Sequence, residues 1–235
     1  MQRLFDIKRT QLEMVRDRGY DITPEEVILT MTLEQYVHYV NEQLPQNGGS
    51  VRAALSRSYL SIQTYDGIKR AMLVYYGSSQ KKKNEPGKKV SIDVARQFIN
   101  LIQRYAIYDA ILIADGPLGS KAATELNKIT RQKWQVFDES DLTYNPTKHV
   151  DTPYHELLSP KEAQAKLREM RTDVSKLLLI KTTDPIVRYY GWPRGGLVRI
   201  HRDDSAVSIL APKSINYRII VEPYVPKKQP PPEGE

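Results

Sequence analysis

Apolar residues recur at roughly helical spacing at the start of the chain: Leu4, Ile7, Leu12, Met14 and Val15 share a stripe, and Gly19 follows where a left-handed exit stops a helix. Thr23-Pro24-Glu25-Glu26 has the order of a capped start, with Thr23 as N-cap, Pro24 in the first turn and Glu26 closing a capping box. Thr32-Leu33-Glu34-Gln35 repeats that order, so a small cluster of helices is predicted as far as Gln43, with Pro45–Ser50 a loop. The period then changes. Tyr59–Tyr65 alternates and meets Asp66-Gly67, a strand and turn. Ala71–Tyr76 and Ala110–Ala114 are continuous apolar runs, as expected of strands buried on both faces. Between them, Ile92, Ala95, Ile99, Ile102 and Ala106 form one stripe of a helix over Ser91–Ile107. A helix over Ser120–Thr130 and a strand over Trp134–Phe137 continue the alternation, which predicts an α/β (α+β) layer on a parallel or mixed sheet.

Asn145–Pro153 has two prolines and little apolar content and reads as a linker between a first domain, 1–144, and a second, 154–225. In the second, Ser159, Pro160 and Glu162 are placed as N-cap, first-turn proline and capping-box partner, and Ala163, Leu167 and Met170 give that helix one face. A strand over Leu177–Ile180 leads to Asp184-Pro185, which opens a short helix that Gly191 closes. Gly196–His201 and Ile215–Val221 read as strands. The Pro-rich tail, 226–235, is expected to be disordered.

Composition narrows the chemistry. The 235 residues include no cysteine, which excludes disulfides, thiolate metal sites and thiol nucleophiles. No apolar run approaches the roughly 20 residues that span a bilayer. Asp6 breaks any signal-peptide core, so an intracellular protein without a membrane partner is expected. The net charge of +7 favours polyanions, nucleic acid above all. Lys81–Lys89 gathers five lysines in a loop with Pro86 and Gly87, a pattern more often solvated than bound. Gly116–Ala122 follows a buried strand and opens a helix, where backbone N–H groups suit a phosphate and Ser120 and Lys121 add a hydroxyl and a cation. It lacks the spacing of a nucleotide-binding P-loop. Asp109 and Asp115 flank a strand without the Glu-x-Lys that a metal-dependent nuclease places beside its Asp. His149 and His155 have no cysteine partners. No metal, cofactor or catalytic residue is therefore expected.

Taken together, the segments resemble the fifth common subunit of eukaryotic-type DNA-directed RNA polymerases. Asp17-Arg18-Gly19-Tyr20 and Thr23 follow the first helix; Asn145, Thr147, His149, Pro153 and His155 stand at the family's spacing. The densest match is Asp184-Pro185-x-x-Arg188-Tyr189-x-Gly191-x-x-Arg194-Gly195-x-x-Val198-x-Ile200, followed by Ile215-x-Tyr217-Arg218. The resemblance implies a non-catalytic subunit with a nuclease-like N-terminal jaw flanking downstream double-stranded DNA without reading sequence. It also implies a C-terminal assembly domain, counterpart of an archaeal subunit, docked on the largest subunit. Asp184, Pro185, Arg188, Tyr189, Gly191, Arg194 and Gly195 would form the docking element, with Tyr189 an amphipathic anchor. Gly119, Ser120 and Lys121 would meet the DNA backbone. Partners would be the polymerase subunits and the site of action the nucleus.

The chain also departs from the pattern. Lys81–Lys89, Asp203–Lys213 and the tail are additions, and Leu118-Gly119-Ser120 replaces the family's usual Thr-Pro-Ser. These fit a divergent member, such as one a large DNA virus carries for its own polymerase, acting then in the virion or at the site of viral transcription. The alternative from the residues is a free-standing basic DNA-binding or transcription adaptor.

Overall fold

A computed structural model describes residues 1–61, 70–81, 88–202 and 214–223. The far part of the Tyr59–Tyr65 strand, the middle of the Lys81–Lys89 stretch, the Asp203–Lys213 stretch and the tail lie outside the described residues. The chain divides into two compact units, Met1–Asn145 and Pro146–Glu235.

In the first unit, α1 (Gln2–Asp17) ends as its glycine directs: Gly19 takes φ +83°, and the Tyr20 N–H donates back to Val15. Thr23 departs from expectation. Asp21 Oδ1 accepts from both the backbone N–H and the hydroxyl of Thr23, at 2.8 and 2.6 Å. With its own hydroxyl engaged, Thr23 caps nothing, and Thr23–Leu29 winds as a 3₁₀ helix without a side-chain cap. Thr32 and Gln35 do form the expected capping box of α2 (Leu33–Gln43). Pro45–Asn47 is one 3₁₀ turn, and Ser50 caps α3 (Val51–Leu55).

The sheet of this unit comprises β1 (Arg57–Leu60), β2 (Ala71–Gly77), β5 (Asp109–Ala114) and β6 (Lys133–Asp138), in the order β1-β2-β5-β6. β1 is antiparallel to β2, and the rest are parallel. Both crossovers carry helices, α4 (Ile92–Arg104) and α5 (Ser120–Leu126). Strand alternation divides the core. Leu73, Ala110 and Leu112 pack with Ala95, Phe98 and Ile102 of α4 and with Ala122 and Leu126 of α5. The intervening Tyr76 faces the other side and donates its hydroxyl to Gln11 of α1. With both faces covered, every residue of β5 is buried, which explains its unbroken apolar run.

Two helices stop short of their predicted ends. Ala106 takes φ +48° and the Ile107 N–H closes on Ile102, which ends α4 at Arg104. Leu126 is the last residue of α5. The Lys81–Lys89 stretch is not all loop. Its described ends pair as an antiparallel hairpin, β3 (Ser79–Lys81) with β4 (Lys88–Val90).

The second unit begins with a 3₁₀ turn, Pro146–Lys148, within the segment expected to be linker. Its sheet comprises β7 (Tyr154–Leu157), β8 (Leu178–Lys181), β9 (Leu197–Arg202) and β10 (Ser214–Val221), in the order β7-β9-β10-β8. Ser159 and Glu162 form the capping box of α6 (Pro160–Glu169). Ile180, Val198, Ile200 and Ile220 make a small core with Val187 of α7 (Pro185–Tyr190). α6 has no buried residue of its own, and its Lys166 lies over the Tyr217 ring.

Candidate docking element and nucleic-acid interface

The N-terminal candidate lies at the carboxyl ends of the parallel strands, where Gly77, Ala114 and Asp138 stand in register. Arg52 of α3 joins these ends. Its guanidinium donates to Gly77 O at 3.0 Å and pairs with Asp115 at 3.2 Å. It also forms an ion pair with buried Glu139 at 2.6 Å. Asp115 also accepts the Ser79 N–H at 2.6 Å. Burial alone would raise the Asp115 pKa; the bonds from Ser79 and the charge of Arg52 outweigh it and hold the carboxyl below its ordinary range.

Asp115 leads into the Gly116–Lys121 turn. Gly119 precedes α5 in extended conformation with no side-chain cap, and Ser120 and Lys121 are exposed in the first turn. The Gly119 N–H is not available to a phosphate as the sequence suggested. It donates to Val90 O at 3.1 Å, because β4 runs alongside: the Val90 N–H donates in turn to Pro117 O at 2.9 Å. Ser120 and Lys121 share a cleft of about 280 Å³ with Lys89, Ser91 and Ile92, so the starts of α4 and α5 open into one space.

The two aspartates flanking β5 are separated by its length, roughly 20 Å at the ordinary strand rise. They have different partners. Asp109 is buried beside Arg18 and Lys133; burial raises its pKa and those cations oppose the rise. Among the described residues, no three His, Asp or Glu side chains are placed to hold a metal. Also among them, no helix is long and apolar enough to cross a membrane.

In the second unit, Asp184 caps α7 by accepting the N–H groups of Ile186 and Val187, at 2.9 and 3.5 Å. Pro185 occupies the exposed first turn, and Gly191 takes the left-handed exit at φ +65°. Gly195 is left-handed too, at φ +81°. Arg194 and Gly195 are exposed and Arg188 is half-buried. Tyr189 corrects the expectation of a presented anchor. It is 1% exposed, since the six-residue helix that brings Ile186 and Val187 inward brings Tyr189 with them. Its ring meets Tyr190 edge-on at 5.1 Å, and Tyr190 stacks on Trp192 at 4.7 Å. His155 Nδ1 lies 2.6 Å from Pro153 O, and burial leads the lowering of its pKa. His149 takes part in the turn to Asp151.

Three features were not legible in the residues. Lys8 is fully buried, 2.9 Å from Glu25 and 3.2 Å from the Tyr59 hydroxyl, which itself donates to Glu25 at 2.5 Å. Arg18 of the Asp17–Tyr20 motif is buried and donates to Gln135 at 2.7 Å, a fold role rather than a surface one. Edge strand β8 shows Leu178 and Leu179, on opposite faces, 60% and 58% exposed. The alternation of β8 alone does not tell an edge strand from a central one.

Comparison with known proteins covers both units. The model of the RNA polymerase Rpb5 N-terminal domain matches residues 1–100, and that of the Rpb5 C-terminal domain matches residues 144–220. The chain is 27% identical to the Arabidopsis thaliana protein named DNA-directed RNA polymerases IV and V subunit 5B, over 91% of this chain and 87% of that one. It is 26% identical to the Caenorhabditis briggsae protein named DNA-directed RNA polymerases I, II, and III subunit RPABC1, over 93% and 96%. The Dictyostelium discoideum protein of the same description is 25% identical, over 94% and 98%. With both domain models matched in order and relatives aligned almost end to end, the chain belongs to the Rpb5 family of RNA polymerase subunits.

Proposed function

We propose that this chain is a non-catalytic subunit of a multisubunit DNA-directed RNA polymerase and acts in transcription in the nucleus, or at the site of viral transcription if a virus encodes it. The observation that carries this reading is the match of both Rpb5 domains in one chain. The second unit docks on the largest subunit through the Asp184–Gly195 element. Arg188 and Arg194 supply forked donors to carboxylates or carbonyls, while Asp184, Pro185, Gly191 and Gly195 fix the element's shape and Tyr189 supports it from within. The apolar edge of β8 supports an assembly role, since an edge strand with leucines on both faces is one that a partner covers. The first unit flanks downstream duplex DNA. Its Gly119–Lys121 turn faces phosphates with the Ser120 hydroxyl, the Lys121 cation and the first-turn N–H groups of α5, the positive end of a helix.

Affinity purification of the tagged chain with mass spectrometry of its partners tests this. The largest polymerase subunit is expected with the unaltered chain and is lost with Arg188→Glu/Arg194→Glu. Recovery without polymerase subunits refutes the reading, and undiminished recovery with the double variant refutes the docking surface.

A further inference from the structure

The β3–β4 hairpin brackets the Lys81–Lys89 stretch, and its described residues are fastened to the Gly116–Lys121 turn from both strands. On β3, the Ser79 N–H donates to Asp115, the residue before the turn, at 2.6 Å. On β4, Val90 donates to Pro117 and accepts from Gly119, at 2.9 and 3.1 Å. The turn's glycines permit this approach. A Cβ at Gly116 would stand 3.0 Å from Lys88 O, and one at Gly119 would stand 3.0 Å from Val90 O. Gly119 is thus explained by the hairpin: a β-branched residue or proline there would push β4 away.

We propose that this hairpin is a phosphate-binding ridge whose partner is the sugar–phosphate backbone of duplex nucleic acid. It rests on the reading of the first unit as the DNA-flanking part. Charge selects the partner. The cleft between hairpin and turn is lined by Lys89 and Lys121, with Gln80, Ser91 and Ser120 as hydrogen-bonding groups, and its described lining contains no carboxylate. Nearby Asp115 is already matched by Arg52 and Ser79. Strand geometry then separates two adjacent lysines. Successive side chains of β4 point to opposite faces. Lys89 lines the cleft, whereas Lys88 is exposed and is not among its lining residues. Lys89 holds the phosphate together with Lys121; Lys88 does not.

The test is fluorescence anisotropy of the purified full chain with a labelled 20-base-pair duplex at several salt concentrations. Each phosphate contact contributes a slope of about −0.9 in log affinity against log salt. Lys89→Ala is expected to flatten the slope by about 0.9, so that it loses roughly 3.5-fold less affinity than the unaltered chain between 50 and 200 mM salt. Lys88→Ala removes the same charge one residue away and is expected to leave the slope unchanged. Equal effects of the two variants would mean a diffuse field and overturn the ridge, as would an unchanged slope for Lys89→Ala or no duplex binding by the unaltered chain. Polymerase subunits retained by the Lys89→Ala chain would show that failure of the ridge leaves subunit membership standing.

Discussion

Glu25→Gln tests the buried ion pair of the first unit. Lys8 has 0% and Glu25 has 4% of its side chain exposed, and they meet at 2.9 Å. Burial lowers the Lys8 pKa from its ordinary 10.5, while the charge and hydrogen bond of Glu25 oppose that fall. The amide keeps the shape, and its oxygen can still accept from Tyr59 and Lys8, but the charge that offsets the buried ammonium is gone. Breaking a buried pair from one side costs about 3–5 kcal/mol. The ceiling is the cost of giving up the Lys8 proton, roughly 1.4 kcal/mol per pH unit below 10.5, or about 5 kcal/mol at pH 7. For a unit of this size that is a drop of roughly 10 °C or more in Tm. The sign with pH follows. Lys8 is more basic unfolded than folded, so the unfolded chain binds more protons between the two pKa values, and stability rises with pH across that window. At pH 9.5 the ceiling falls to about 1.4 kcal/mol. The assay is urea unfolding followed by Trp134 fluorescence, with Trp192→Phe silencing the second unit's tryptophan. Lys8→Met/Glu25→Gln should recover most of the loss. A cost below about 1 kcal/mol at pH 7, a cost that does not shrink by pH 9.5, or a double variant no more stable than Glu25→Gln would refute the reasoning.

Two further outcomes follow from side chains at the sheet ends. Arg18→Ala is expected to cost about 3 kcal/mol in the same assay, since it strips Asp109 of one buried cation and Gln135 of its donor. It should raise the Asp109 pKa further, which NMR titration of the carboxyl carbon reads directly. The bond from Ser79 to Asp115 should persist above the ordinary aspartate value of 3.8 and be lost as pH falls through the lower value of the folded protein. The Ser79 amide shift followed by NMR reports that titration, and Asp115→Asn should abolish it.

Periodicity and caps carried much of the fold. The α4 stripe, the runs of β2 and β5, the Ser159–Glu162 box and the Asp184–Gly191 helix are local patterns, and each produced an element of the expected kind at that place in the chain. Failures arose where a competitor sat just outside the pattern. Asp21 engages Thr23 first, and the left-handed Ala106 stops α4 inside its own stripe. Tyr189 went astray because a six-residue helix is too short to reveal which of its sides is covered. The contacts around the N-terminal turn were out of reach for another reason. Arg52 meets Asp115 and Glu139, and β4 meets the turn before α5, across separations that only the strand order brings together.

If a partner covers edge strand β8, as proposed above, its exposed leucines bear on the protein's supply. Leu178 and Leu179 are exposed on an edge strand, the kind of strip that a second copy of the chain can also pair with. On the proposed docking, chains made in excess of their partner would gain a route to clumping that assembled chains lack. The same two leucines would then give chaperones and proteases a mark that distinguishes orphans from incorporated subunits, tying abundance to that of the partner.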